Sequence, residues 1–253
     1  MTPEQDQKVK QSRAEQESGF SILNSQFSLL AAAWVVFRKD LRSELRTRYA
    51  LNALLLFATS ATVAVSLGIG PLRLPDDAQT ALIQSALLWI ALLFAALNGL
   101  SRCFVQEEEA RTSAALRLSA PPLAVYLGKF LFNLALLLLL DALTTFLFVI
   151  FVRVEVGNPL GLIGLLAAGG LSLAAVTTII AAIIARASFR SALFAVLAFP
   201  LLVPPLIIAI QGTALAIDGA LFSAIWPSMR TLLAYSVAMF TASLLLFRFV
   251  WEG

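Results

Sequence analysis

Histidine does not occur anywhere in these 253 residues, and cysteine occurs once, as Cys103. A chain without histidine cannot assemble a Ser-His-Asp triad or a histidine-ligated metal or haem site, and a single thiol cannot close an internal disulfide. A glycine-rich phosphate loop of the form G-x-x-x-x-G-K-[ST] is also missing, so nucleotide triphosphate hydrolysis by that route falls to another polypeptide. Charge is scarce as well. Asp, Glu, Lys and Arg supply 13% of the chain against 60% apolar residues, whereas a soluble domain carries about 25% charge and about half apolar residues. A water-soluble core has no room for that excess. The net charge of +3 is spread over the tail and short connections, not gathered into the basic patch that a nucleic-acid partner would require.

What the chain does have is long apolar runs. A helix needs about twenty such residues to cross a hydrocarbon layer of about 30 Å, and six segments qualify: near Ala50 to Leu67, Thr80 to Leu100, Val125 to Phe151, Leu160 to Ala185, Phe189 to Ile210 and Thr231 to Val250. Continuous runs such as Leu136 to Leu140 are unlike the alternating ten-residue segments of a membrane β-barrel. The expected fold is therefore an all-α integral membrane protein with six transmembrane helices. Residues 1–28 are rich in Gln, Glu, Lys and Ser and lack the apolar stretch of a secretory signal. They are expected to form a polar cytoplasmic tail, followed by an amphipathic interfacial helix over 29–49 and the six-helix domain over 50–253.

Lys and Arg in short connections are retained on the cytoplasmic side. With an even number of spans and the N-terminus inside, fifteen of the 18 basic residues fall on that side, and only Arg73, Arg153 and Arg230 fall opposite. An odd number would destroy the asymmetry, so both termini are expected to be cytoplasmic.

Several segments carry candidate mechanism. Trp34, Phe37, Leu41 and Leu45 recur at three- and four-residue spacing, which at about 100° per residue gathers them on one face, with Lys39, Arg42 and Arg46 on one flank and Asp40 and Glu44 on the other. This pattern fits a helix lying along the cytoplasmic surface, apolar side to lipid and cations toward anionic headgroups. It also fits a solvated extension of the first span. The loop Ser101 to Pro122 contains Glu107, Glu108, Glu109 and Arg111 before Pro121-Pro122. Acids suit a helix start, and the two prolines would terminate a helix begun there. This loop is either a short helix onto which a motor subunit docks or a plain solvated connection.

Asp141 interrupts the third span after five leucines, at an insertion cost of about 2.5–3.5 kcal/mol. It is expected to face protein or water, or to be protonated, with Thr144 and Thr145 one turn away as helpers. A structural contact and a part in a translocation path both fit. Pro200, Pro204 and Pro205 lie in the fifth span and free the carbonyls of Val196, Pro200 and Leu201, predicting a kinked or interrupted helix whose loose carbonyls are met by protein or water. Gln211 to Met229 is short of charge and reads as an outer interfacial helix, a re-entrant dip or an ordinary loop.

In order along the chain, Leu67-Gly68-Ile69-Gly70-Pro71, Leu88-Trp89, Leu127-Gly128-Lys129, Arg190-Ser191-Ala192-Leu193 and Phe199-Pro200-Leu201-Leu202-Val203-Pro204-Pro205 resemble the type-2 ABC transporter membrane subunits, and within them the CcmB family of cytochrome c maturation. The resemblance runs from about Phe37 to the end of the chain. It departs from the family in the first cytoplasmic loop, where Glu109-Ala110 and Ser113-Ala114 replace the usual acid, glycine and glutamate, and at Asn133, where many members have histidine.

The resemblance implies a transporter membrane subunit that is not itself an enzyme, seated in the bacterial inner membrane. Its implied partners are an ABC ATPase resembling CcmA, membrane proteins resembling CcmC and CcmD, and a second copy or similar subunit. Haem is implied as substrate and not as a covalently bound cofactor, and ATP is used through the partner. The candidates for coupling to that ATPase, drawn from the amphipathic helix and the charged loop, are Trp34, Phe37, Leu41, Glu107, Glu108, Glu109 and Arg111. An exporter of lipid, drug or ion, and a membrane assembly scaffold, are the alternatives.

Overall fold

In lipid every backbone N–H and C=O must find its partner inside the protein, which leaves an apolar run little choice but to be a helix. The computed structural model describes residues 29–69, 78–99, 120–185 and 190–252, with Phe104 and Leu116 between, and all regular structure among the described residues is helical. Helix α1 covers 29–47. It is followed by α2 (Tyr49–Ile69), α3 (Ala78–Gly99), α4 (Pro122–Leu147), α5 (Pro159–Ile184), α6 (Arg190–Ile217) and α7 (Phe222–Glu252). Helix α4 continues into a π-turn at Phe148–Val152, which ends on a left-handed Arg153. Six of these helices, α2 to α7, are long and apolar enough to cross a membrane. The tail over 1–28 and the acidic stretch Glu107 to Arg111 lie outside the described residues.

Helix α5 is the hub. Of its apolar segment 83% is buried, against 17% for α2 and α7, and it packs chiefly on α7, α6 and α4. Small side chains make this possible, because between membrane helices close backbone approach replaces the hydrophobic drive that water would supply. A Cβ on Gly164 would reach within 2.8 Å of Met229 Sδ, and one on Gly169 would run into the Trp89 ring.

The helix ends sort into two groups. At one end the loop after α4 lies on the turn between α6 and α7: Gly157 N donates to Ile217 O at 3.1 Å and Asn158 N to Ala216 O at 2.9 Å. Ser66 Oγ of α2 donates to Phe151 O at 2.7 Å at the same end. At the other end Phe104 meets Phe247 at 5.7 Å and Trp251 at 6.3 Å between ring centroids.

The segment Gln211 to Met229 is neither an interfacial helix, a re-entrant dip nor a long loop. Helix α6 runs on to Ile217, α7 starts at Phe222, and the chain reverses in the four residues between. Gly219 supplies the left-handed residue (φ +79°), while Ala220 N returns to Leu215 O at 2.9 Å and Gly219 N to Ala216 O at 3.4 Å. This paired closure satisfies the last carbonyls of α6 and stops it sharply. Helix α6 is also continuous rather than interrupted, with Pro200, Pro204 and Pro205 all inside it.

Candidate functional site: the joint between α1 and the core

Helix α1 is held against α4 by one close contact and one ion pair. The contact is at Gly128, where an added Cβ would lie 2.6 Å from Val36 Cβ and 2.7 Å from the Ala33 carbonyl oxygen. Only glycine lets the two helices come this near. One residue on, Lys129 is fully buried, and its Nζ sits 3.2 Å from Asp40 Oδ2 on α1. Asp40 also receives Lys39 at 3.1 Å, and the Lys129 ammonium lies 5.0 Å from the centre of the Phe104 ring. A buried ammonium is tolerable only with such company, a carboxylate on one side and an aromatic face on the other.

The far end of α1 is fixed too. Arg48 takes a left-handed conformation (φ 54°) that breaks the chain direction between α1 and α2. The buried Glu44 carboxylate accepts the Leu51 N–H at 2.7 Å, satisfying an amide in the first turn of α2 and placing negative charge at its positive end. Motion of α1 is thereby tied to α4 through Asp40 and to α2 through Glu44.

This geometry changes the face that α1 presents. Ala33, Val36 and Glu44 are the buried positions and Asp40 is nearly so, a stripe about a quarter-turn from the one defined by Trp34, Phe37, Leu41 and Leu45. Phe37 and Leu41 are partly buried against the core, whereas Trp34 is 58% exposed and Leu45 54%. The coupling candidates thus divide: Phe37 and Leu41 sit at the joint, Trp34 faces outward, and Glu107, Glu108, Glu109 and Arg111 are not described. The acids of the flank, Asp40 and Glu44, form the anchoring side. The available signal was a lysine, Lys129, placed beyond a double proline inside an apolar run, which needs a carboxylate within reach.

Deeper in the core, polar contacts pin the spans to one another. Trp89 Nε1 on α3 donates to Thr213 Oγ1 on α6 at 2.9 Å, with its ring against Gly169 of α5. Asn133 Nδ2 on α4 donates to Thr178 Oγ1 on α5 at 2.9 Å, and Ser172 and Ser236 hydroxyls lie 2.7 Å apart between α5 and α7. Asp141 is 2% exposed and faces α5, its Oδ2 only 2.6 Å from where a Cβ on Gly170 would stand. Thr144 and Thr145 do not assist it: both hydroxyls and both carboxylate oxygens are without a hydrogen-bond partner among the described residues. Of the carbonyls freed by proline in α6, that of Leu201 accepts the Tyr235 hydroxyl of α7 at 2.6 Å.

Six apolar helices, among them the small-residue hub α5, with a short helix anchored at one end, define a polytopic α-helical membrane protein. The model of the family described as CcmB protein matches residues 31–250. The chain belongs to the CcmB family, whose members are membrane subunits of the haem-export system of cytochrome c maturation. A search of curated proteins found no match.

Proposed function

We propose that this chain is the membrane subunit of an ABC-type complex that acts in haem export, or in release of a haem-loaded chaperone, during c-type cytochrome maturation in the bacterial inner membrane. ATP is hydrolysed by a separate subunit resembling CcmA, with CcmC-like and CcmD-like proteins alongside and a second copy or similar subunit completing the membrane core. Family membership over residues 31–250 carries this reading. It is supported by a chain of six candidate spans that holds no phosphate loop.

In this reading α1 lies along the cytoplasmic surface with Trp34 and Leu45 toward lipid, and both termini are cytoplasmic. Movement of an ATPase pressing on α1 passes into the spans through Asp40 and Lys129 into α4, and through Glu44 into α2. The test is co-purification. Tagged protein extracted in mild detergent is expected to bring down an ATPase subunit, and Lys129→Ala is expected to keep that partner but lose stimulation of its ATP turnover. Extraction without any ATPase removes the reading.

A further inference from the structure

The most conspicuous unmet polar groups in the described core lie on one face of α4. Asp141 Oδ1 and Oδ2, Thr144 Oγ1 and Thr145 Oγ1 are all buried atoms without a hydrogen-bond partner among the described residues. Residues three and four apart share a helix face, so these three side chains stand on one side of α4 within little more than one turn. Most buried polar groups in native cores are hydrogen-bonded, so neighbouring unmet ones point to a water or ion. Here three neighbouring side chains leave four oxygens unmet.

Thr145 lines a small cleft, with room for about one water molecule, together with Gln84 of α3, Phe148 of the π-turn, Val154 and Val156 of the following loop, and Ile217 of α6. This cleft opens at the end of the bundle where the 153–158 loop meets the α6–α7 turn. Asp141 lies four residues further in, about 6 Å along the helix axis. On its other side Gly170 leaves just the room that the carboxylate fills.

We propose that Asp141, Thr144 and Thr145 form a binding site for a small monovalent cation. Carboxylate and hydroxyl oxygens suit a hard cation, either an alkali ion such as sodium or a proton carried on water. The carboxylate supplies the neutralising charge, and the two hydroxyls supply oxygen ligands. The site is independent of ATPase coupling, so failure of either proposal leaves the other standing.

Few other charges compete for the readout. Helices α3 and α5 carry no ionisable residue, and α2 and α6 carry only the terminal Tyr49 and Arg190. Helix α7 carries Arg230, Tyr235, Arg248 and Glu252. On α4 itself Tyr126 and Lys129 lie toward the opposite end, the latter bound to Asp40. Arg153 and Glu155 sit in the loop beside the cleft.

The experiment is thermal unfolding of the full chain in uncharged detergent. Sodium chloride is titrated against choline chloride at constant ionic strength, and in a second series pH is lowered in choline. Wild-type protein is expected to gain several degrees in Tm in one series, and Asp141→Asn is expected to lose that gain. A sodium-specific gain identifies an alkali ion, and a gain on acidification alone identifies the proton. Thr144→Val with Thr145→Val keeps the charge and is expected to move the midpoint to higher cation concentration. It also decides the matter should Asp141→Asn fail to fold. Identical titrations for wild type and the variants overturn the proposal.

Discussion

The hydroxyl of Tyr235 donates at 2.6 Å to the carbonyl oxygen of Leu201, the acceptor that Pro205 leaves without its helical amide. A proline in α6 and a tyrosine in α7 thus act as a matched pair, the second closing the gap in the backbone ladder made by the first.

Tyr235→Phe should therefore destabilise the protein by about 1 kcal/mol, the scale of one interhelical hydrogen bond in a membrane. Restoring the amide with Pro205→Ala should make the same tyrosine substitution nearly neutral. A double-mutant cycle by thermal unfolding in detergent measures the coupling, and additive effects would show that the hydroxyl is not serving that carbonyl.

The buried ion pair gives a prediction with a definite order. Lys129→Ala leaves Asp40 with only Lys39, and Asp40→Ala takes the carboxylate from a fully buried ammonium, each at up to about 3–5 kcal/mol. The second should be the more damaging, since Lys129 has no exposed surface while the Asp40 side chain keeps 11% of its own. Lys129→Met combined with Asp40→Leu removes both charges and should recover much of the loss. If the double variant is as unstable as the worse single one, the pair is not what holds α1 in place.

Trp89 and Gly169 should show a size dependence. Gly169→Ala drives a methyl into the indole ring, and overpacking of this kind costs about 1–3 kcal/mol. Trp89→Leu vacates the space, so it should relieve Gly169→Ala while being destabilising alone, because Thr213 also loses its indole donor. Melting temperatures of the four combinations decide this.

How much of the fold was legible beforehand depends on what each feature requires. Six spans come from apolar length, a property local to each segment, and six helices long and apolar enough to span stand among the described residues. The α6–α7 reversal was also locally encoded, in Asp218-Gly219, but the helical residues flanking it are weakly apolar and include Pro227, which masks the continuity of both helices. Pairings between segments were not legible. Asp40 finds Lys129 across 89 positions of sequence, and Trp89 finds Thr213 across 124. Periodicity located an amphipathic α1 but chose its more aromatic face, since a hydropathy pattern cannot tell lipid from a glycine-lined groove, and the groove at Gly128 took the Ala33–Val36 side.

The orientation of the bundle is open to a direct check. With Cys103 replaced by Ser, single cysteines at Gly219 and at Arg46 lie at opposite ends, Gly219 in the α6–α7 turn and Arg46 in the last turn of α1. Three basic residues at one end against fifteen at the other fix the expected direction. A membrane-impermeant thiol reagent added to spheroplasts should label the cysteine at 219 and spare the one at 46, with the pattern inverted in inside-out vesicles. The docking of the 153–158 loop on the same turn means that a cysteine at Glu155 must behave like the one at 219. Labelling of 155 and 219 from different sides would contradict the packing of that end, and labelling of both only from the cytoplasmic side would turn the bundle over and place α1 where no ATPase could reach it.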